Sequence, residues 1–158
     1  MSAISLSVAE DRAARASGSY VWQAPGKLLA VHLSLAVVER MEREVIESFK
    51  AITQRGSEIG GLLLGTLPNE QRVVIVEDYE KVICDYARGP LYLLADADKA
   101  RLEAALARFR ASMDKGLAVV GFFRSNTRKD LSLDEEDLLL MRQYFSEARH
   151  VCLLVRPY

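Results

Sequence analysis

Apolar residues follow two rhythms along this chain, and the change from one to the other marks its elements. Leu28 to Leu33 reads as a strand, Leu-Leu-Ala-Val-His-Leu. Ser34 stands where a helix cap belongs. Val38, Met41, Val45, Phe49 and Ile52 then recur at steps of three and four, which puts one apolar stripe on a helix over 34–54. Gly56 suits the position just past that helix, where a left-handed backbone is cheap only for glycine. Glu58 opens a strand to Leu67 that is rich in leucine and glycine, and such glycines let another backbone come close. Pro68-Asn69-Glu70 turns the chain. The β-branched run from Arg72 to Val76 continues through Tyr79 to Cys84 and makes a hairpin with, or lies beside, the Glu58 strand.

Arg88-Gly89-Pro90 breaks the pattern, and Leu91 to Leu94 reads as another short strand. Asp96 or Asp98 can cap a second helix over 96–115, with Leu102, Leu106, Phe109 and Met113 on its buried stripe and Gly116 at its end. Leu117 to Phe123 is apolar at successive positions, as expected of a strand covered on both faces. After the polar loop Ser125 to Leu131, Ser132 and Glu135 match a capping box. A third helix follows over about 133–147 and buries Leu138, Met141 and Phe145. His150 to Val155 is the last strand, stopped by Pro157. The expected fold is α/β: one domain with a mixed curved β-sheet flanked by about three helices.

The first 19 residues lack a clear rhythm and read as a mobile N-terminal head with one helical turn around Val8 to Ala16. The domain proper is then 20–158, entered through Tyr20-Val21-Trp22. Length fits one domain with a real core. Half of the 158 residues are apolar, about a quarter are charged and the formal net charge is −1. That balance gives no electrostatic footprint for nucleic acid. No apolar run is long enough to span a membrane, and the head lacks the apolar centre of a secretory signal. Cys84 and Cys152 lie in apolar runs at a spacing that fits no zinc knuckle or redox pair. They read as buried free thiols of a cytoplasmic protein.

Three pieces carry the chemistry. They are Glu58-Ile-Gly-Gly-Leu-Leu-Leu-Gly65, the strand and turn Val119-Val-Gly-Phe-Phe-Arg-Ser-Asn126, and Asp137 eleven residues after Asn126. Their order and spacing resemble the JAB/MPN domain, the JAMM metalloprotease family, over roughly residues 27–157. In active members of that family two histidines and an aspartate hold zinc, water takes the fourth place, and a glutamate is the general base. They cut isopeptide bonds to ubiquitin-like proteins. The resemblance puts Glu58 at the general-base position and Asp137 at the aspartate ligand. Arg124 and Asn126 stand where the histidines would be, with Ser125 between them and Thr127 in place of the usual proline. Asp134 falls at the position of the family serine, unless the loop is two residues shorter and Ser132 is that residue.

This ligand set is poor for zinc. Arginine has no lone pair to give and stays protonated, and asparagine is a weak neutral ligand. Zinc is expected to be lost, with no catalytic residue at work and Glu58 left as a vestige. His32 and His150 lie in other strands and read as packed or surface imidazoles. Arg124 could supply the missing positive charge and bridge Glu58 and Asp137. The cluster Arg124, Arg128 and Lys129 otherwise reads as a solvated loop.

The resemblance implies a pseudoenzyme, a metalloprotease-like domain used for protein–protein interaction. Its partner would be another JAB/MPN subunit or a second copy, and a ubiquitin-like protein is possible. The helices 34–54 and 96–115 are candidate partner surfaces. The alternative is a JAMM-related hydrolase or isopeptidase with altered, metal-independent chemistry, in which Arg124, Ser125, Asn126 and Thr127 bind a carbonyl and Glu58 is the base. A third reading uses Arg124, Arg128 and Lys129 to bind a phosphate or an acidic peptide.

Overall fold

The computed structural model describes residues 2–6, 18–51, 57–68, 72–111 and 116–158. Its strands are β1 (Ser2–Leu6), β2 (Ser19–Gln23), β3 (Ala30–Ser34), β4 (Gly60–Thr66), β5 (Val73–Lys81), β6 (Ala118–Ser125) and β7 (Val151–Val155). Its helices among the described residues are α1 (Leu35–Lys50), α2 (Asp96–Ala111) and α3 (Glu135–Tyr144). The seven strands form one curled mixed sheet in the order β1-β7-β6-β4-β5-β3-β2. Central β4 is antiparallel to both β5 and β6, while β6 and β7 run parallel.

Successive residues of the central strands bury to opposite faces. Leu63, Phe123 and Leu153 join Val38, Met41 and Val45 of α1 in one core. Leu62, Leu64, Phe122, Cys152 and Leu154 join Leu102 and Leu106 of α2 and Met141 of α3 in the other. Helices on both faces explain why β4, β6 and β7 read as unbroken apolar runs. Each large side chain so buried contributes about 1.5–3 kcal/mol. Two bulges adjust the phase. One leaves Val120 unopposed by β4, and the other leaves Glu77 unopposed, so that Val76 and Tyr79 face the same core.

Several local expectations are corrected. Part of the supposed mobile head, Ser2–Leu6, lies in the sheet as the edge strand beside β7. The helical turn read at Val8 to Ala16 falls outside the described residues. Helix α1 stops at Lys50, and Phe49 is 42% exposed and meets the ring of Tyr158 rather than the core. Ser48 takes the buried place on that turn. Ile52 and Met113 are outside the described residues. Ser34 is the N-cap residue of α1 but makes no side-chain cap bond. Leu91 to Leu94 is not a strand, because its backbone turns to meet Glu58 instead.

The third helix begins two residues later than expected. Its capping box is Asp134 with Asp137, where Asp134 Oδ1 accepts the Asp137 N–H and Asp137 Oδ2 accepts the Asp134 N–H, both at 2.9 Å. Ser132 and Glu135 do not form the box. Starting at Glu135 turns Asp137, Leu140 and Met141 inward and leaves Leu138 half-buried.

Candidate functional site

The C-terminal end of β6, the residues entering β4 and the N-terminus of α3 meet at one end of the sheet. Register makes this so. Arg124 lies opposite Gly60, two residues after Glu58, and β6 continues into the loop that leads to α3. Ser125 fastens the junction. Its N–H donates to the Ile59 carbonyl at 2.8 Å, and its Oγ accepts the Ile59 N–H at 2.9 Å. Tyr86, held at a positive φ of 54°, donates its hydroxyl to the Glu58 carbonyl.

Glu58, Arg124, Ser125 and Asn126 are wholly buried and Asp137 nearly so. Arg124 lays its guanidinium fork on Asp137, Nε to Oδ1 at 2.7 Å and Nη2 to Oδ2 at 2.6 Å. Its remaining Nη1 donates to the Ser125 carbonyl at 3.3 Å. Burial alone would push the Arg124 guanidinium down, but the Asp137 carboxylate outweighs it and holds the group above its ordinary value. The anticipated bridge therefore forms on Asp137.

Glu58 takes its charge partner from Arg128 instead, at 3.2 Å from Oε2. Three further bonds complete the carboxylate. The Tyr92 N–H donates to Oε2 at 2.9 Å, and the Thr127 N–H and hydroxyl both donate to Oε1 at 3.0 Å. Arg128 also pairs with Asp134, so two guanidiniums serve three carboxylates. The reading of Arg124 and Arg128 as a solvated loop is thus overturned. Arg124 is buried and Arg128 is mostly so, and only Lys129 of that cluster is exposed.

Asn126 is used at both ends of its amide. Nδ2 donates to the Asp130 carbonyl at 2.9 Å, and Oδ1 accepts the Arg128 N–H at 2.8 Å. It staples the loop that delivers Arg128. Its own N–H continues the β6–β7 contact to the Val155 carbonyl. Arg156, just past the end of β7, reaches the same loop and donates to the Lys129 carbonyl at 2.9 Å.

The donor set does not fit zinc. Asp137 spends both oxygens on Arg124, the Asn126 oxygen is committed to the backbone, and Arg124 is a cation. Among the described residues no three His, Cys, Asp or Glu side chains gather as a metal-holding group. His32 lies on β3, separated from β6 by β5 and β4, and His150 packs edge-on against Phe145 beside Glu147. Among the described residues the Ser125 hydroxyl is hydrogen-bonded to the Ile59 backbone and to no basic side chain.

Sequence reasoning nominated Glu58, Arg124, Ser125, Asn126, Asp134 and Asp137, and the structure brings all six together. It missed Arg128 as a member of the cluster, and Tyr92 as a donor from the irregular 91–95 segment. No family model and no curated protein matches the sequence.

Proposed function

We propose that the chain is a JAB/MPN-type domain that has exchanged its metal for an ion-pair network and acts as a protein-binding or scaffold module. The carrying observation is the Arg124 fork on Asp137, a cation seated on the one strong ligand that the resemblance retains. The element order from β3 onward also agrees with the resemblance: strand, helix, two strands, helix, strand, helix, strand.

Hydrolysis without a metal finds little support. Glu58 accepts four hydrogen bonds, one of them from a guanidinium, and so is poorly placed to take a proton from water. What remains is a rigid frame for recognition. The partner class is another domain of this type or a second copy of this chain, and a ubiquitin-like protein is a further possibility on the same reading.

The test is elemental analysis of the native protein beside Arg124→His/Asn126→His. The reading expects no zinc in the first and about one equivalent in the second. Stoichiometric zinc in the native protein would overturn it and put a metal hydrolase first. A double variant that folds yet takes up no zinc would remove the resemblance as the basis of the reading.

A further inference from the structure

A second recess lies at the other end of β6 from the Arg124 cluster. It is a cavity of about 270 Å³ between the last turn of α2, the start of β6, the residue after β4 and the chain that leaves α3. Leu67, Leu106, Phe109 and Val119 give it an apolar wall. Tyr144 adds a ring, since its hydroxyl donates to Glu103 at 2.6 Å. Two side chains of opposite charge also line it, Arg110 and Glu147, and both are exposed, which puts them at its mouth. The backbone of Glu147 is pinned. The His150 N–H donates to the Glu147 carbonyl at 3.1 Å, and the Glu147 N–H donates to His150 Nδ1 at 3.3 Å. The Glu147 carboxylate stays 3.8 Å from His150 Nε2, beyond hydrogen-bond length. Among the described residues neither Arg110 nor Glu147 has an ion-pair partner of fixed charge. Volume limits the occupant. A cavity of about 150 Å³ holds benzene, so this one takes on the order of ten non-hydrogen atoms. A small apolar body carrying one positive and one negative group matches both the wall and the mouth.

We propose that this cavity binds a free apolar α-amino acid of about the size of leucine or methionine. Its carboxylate meets Arg110, its ammonium meets Glu147, and its side chain lies against Leu106, Phe109 and Val119. The end of a peptide carries only one of these two charges and leaves the other side chain unmatched. The cavity shares no residue with the Arg124 cluster, so this proposal and the zinc-site reading can each fail alone.

Calorimetry and ligand-observed NMR on the full-length chain test it with leucine, methionine, glycine, isocaproate and isoamylamine. Leucine and methionine should bind. Glycine lacks the apolar side chain, and isocaproate and isoamylamine each lack one charge, so these three should bind roughly tenfold more weakly than leucine, or worse. Arg110→Gln should bring leucine down to the level of isoamylamine, and Glu147→Gln should bring it down to that of isocaproate. Both positions are exposed, so the circular dichroism of these variants should match the native chain. Val119→Phe fills the cavity and should abolish leucine binding with both charges in place. If that variant does not fold, the two surface variants decide. No binding of leucine or methionine at millimolar concentration overturns the proposal. So does isocaproate or isoamylamine binding as tightly as leucine, or leucine binding that both surface variants leave unchanged.

Discussion

Arg124 shows how much one buried cation can decide. It sits wholly inside the protein with two of its nitrogens on Asp137, which is itself nearly buried. Removing one partner of such a pair strands the other, at a cost of about 3–5 kcal/mol. Arg124→Met should therefore lose that much in urea unfolding, a large share of the ~5–15 kcal/mol total of a typical domain. Arg124→Met/Asp137→Leu should recover part of the loss, because it leaves no charge uncompensated although the Asp134 N–H loses its acceptor. A single variant that costs under about 1 kcal/mol would mean that Asp137 finds solvent or another donor, and the pair would not be the pin of the site. The sequence singled out Arg124 as a cation able to bridge nearby carboxylates. Its burial was not legible there, because burial depends on α3 turning Asp137 inward. Arg128 was legible only as loop charge, since its two carboxylates come from residues 58 and 134, far apart in the chain.

At the level of elements, the ends of helices and the contacts between strands do the positioning. Asp98 is buried at the start of α2 and accepts the N–H groups of Ala95 and Asp85, both at 2.9 Å, together with a guanidinium hydrogen of Arg101. Burial alone would raise this carboxyl. The two backbone donors, Arg101 and the Cys84 thiol outweigh it and set the group below its usual value. A carboxyl lowered on folding adds stability that is fully present above the unfolded value of about 3.9. That stability is lost as pH falls through the folded value. Asp98→Asn should therefore cost about 1–2 kcal/mol at neutral pH. It should also flatten the loss of stability below about pH 4 in acid titrations followed by circular dichroism. An unchanged acid limb would assign the acid sensitivity to other carboxylates.

The sheet makes a different demand at Gly121. A Cβ there would lie 1.9 Å from the Val151 carbonyl oxygen, so β6 and β7 can close only around a glycine. Gly121→Ala should destabilise the fold by at least the ~1–3 kcal/mol of overpacking, read in thermal or urea unfolding. Near-native stability would mean that the two strands separate there without loss. The sequence reading expected close approach at the glycines of the Glu58 strand, where a Cβ on Gly61 or Gly65 would meet the Glu80 or Ile75 carbonyl oxygen, and it did not single out Gly121.

Across the whole molecule, one of the two cores, on the face of the sheet that α2 and α3 cover, encloses both cysteines. Burial, helped by the nearby Asp137 carboxylate and opposed by Arg124, pushes the Cys152 thiol up to about 12. Burial raises Cys84 as well. Since thiolate is the reactive form, neither should react with a thiol reagent at neutral pH until the domain opens. The labelling rate should follow global unfolding as denaturant is added. Rapid labelling of Cys152 alone in the native protein would show that the β7 edge opens locally, which bears directly on how firmly β1 is held.

The sequence by itself determined the alternation of strands and helices from β3 to β7, apart from the strand wrongly read at Leu91 to Leu94, and the apolar central strands, because these follow from local periodicity and from residues adjacent in the chain. It also singled out a glutamate, an arginine and an aspartate that the structure brings into one buried cluster. Only the tertiary structure decided which carboxylate each arginine takes, that α3 starts at Glu135, and that Leu91 to Leu94 bends to bring the Tyr92 N–H onto Glu58. It also decided that Ser2–Leu6 joins the sheet. Each of these depends on a partner brought near by sheet register or helix phase. Such a partner competes with water and with local hydrogen bonds only once the two cores have formed.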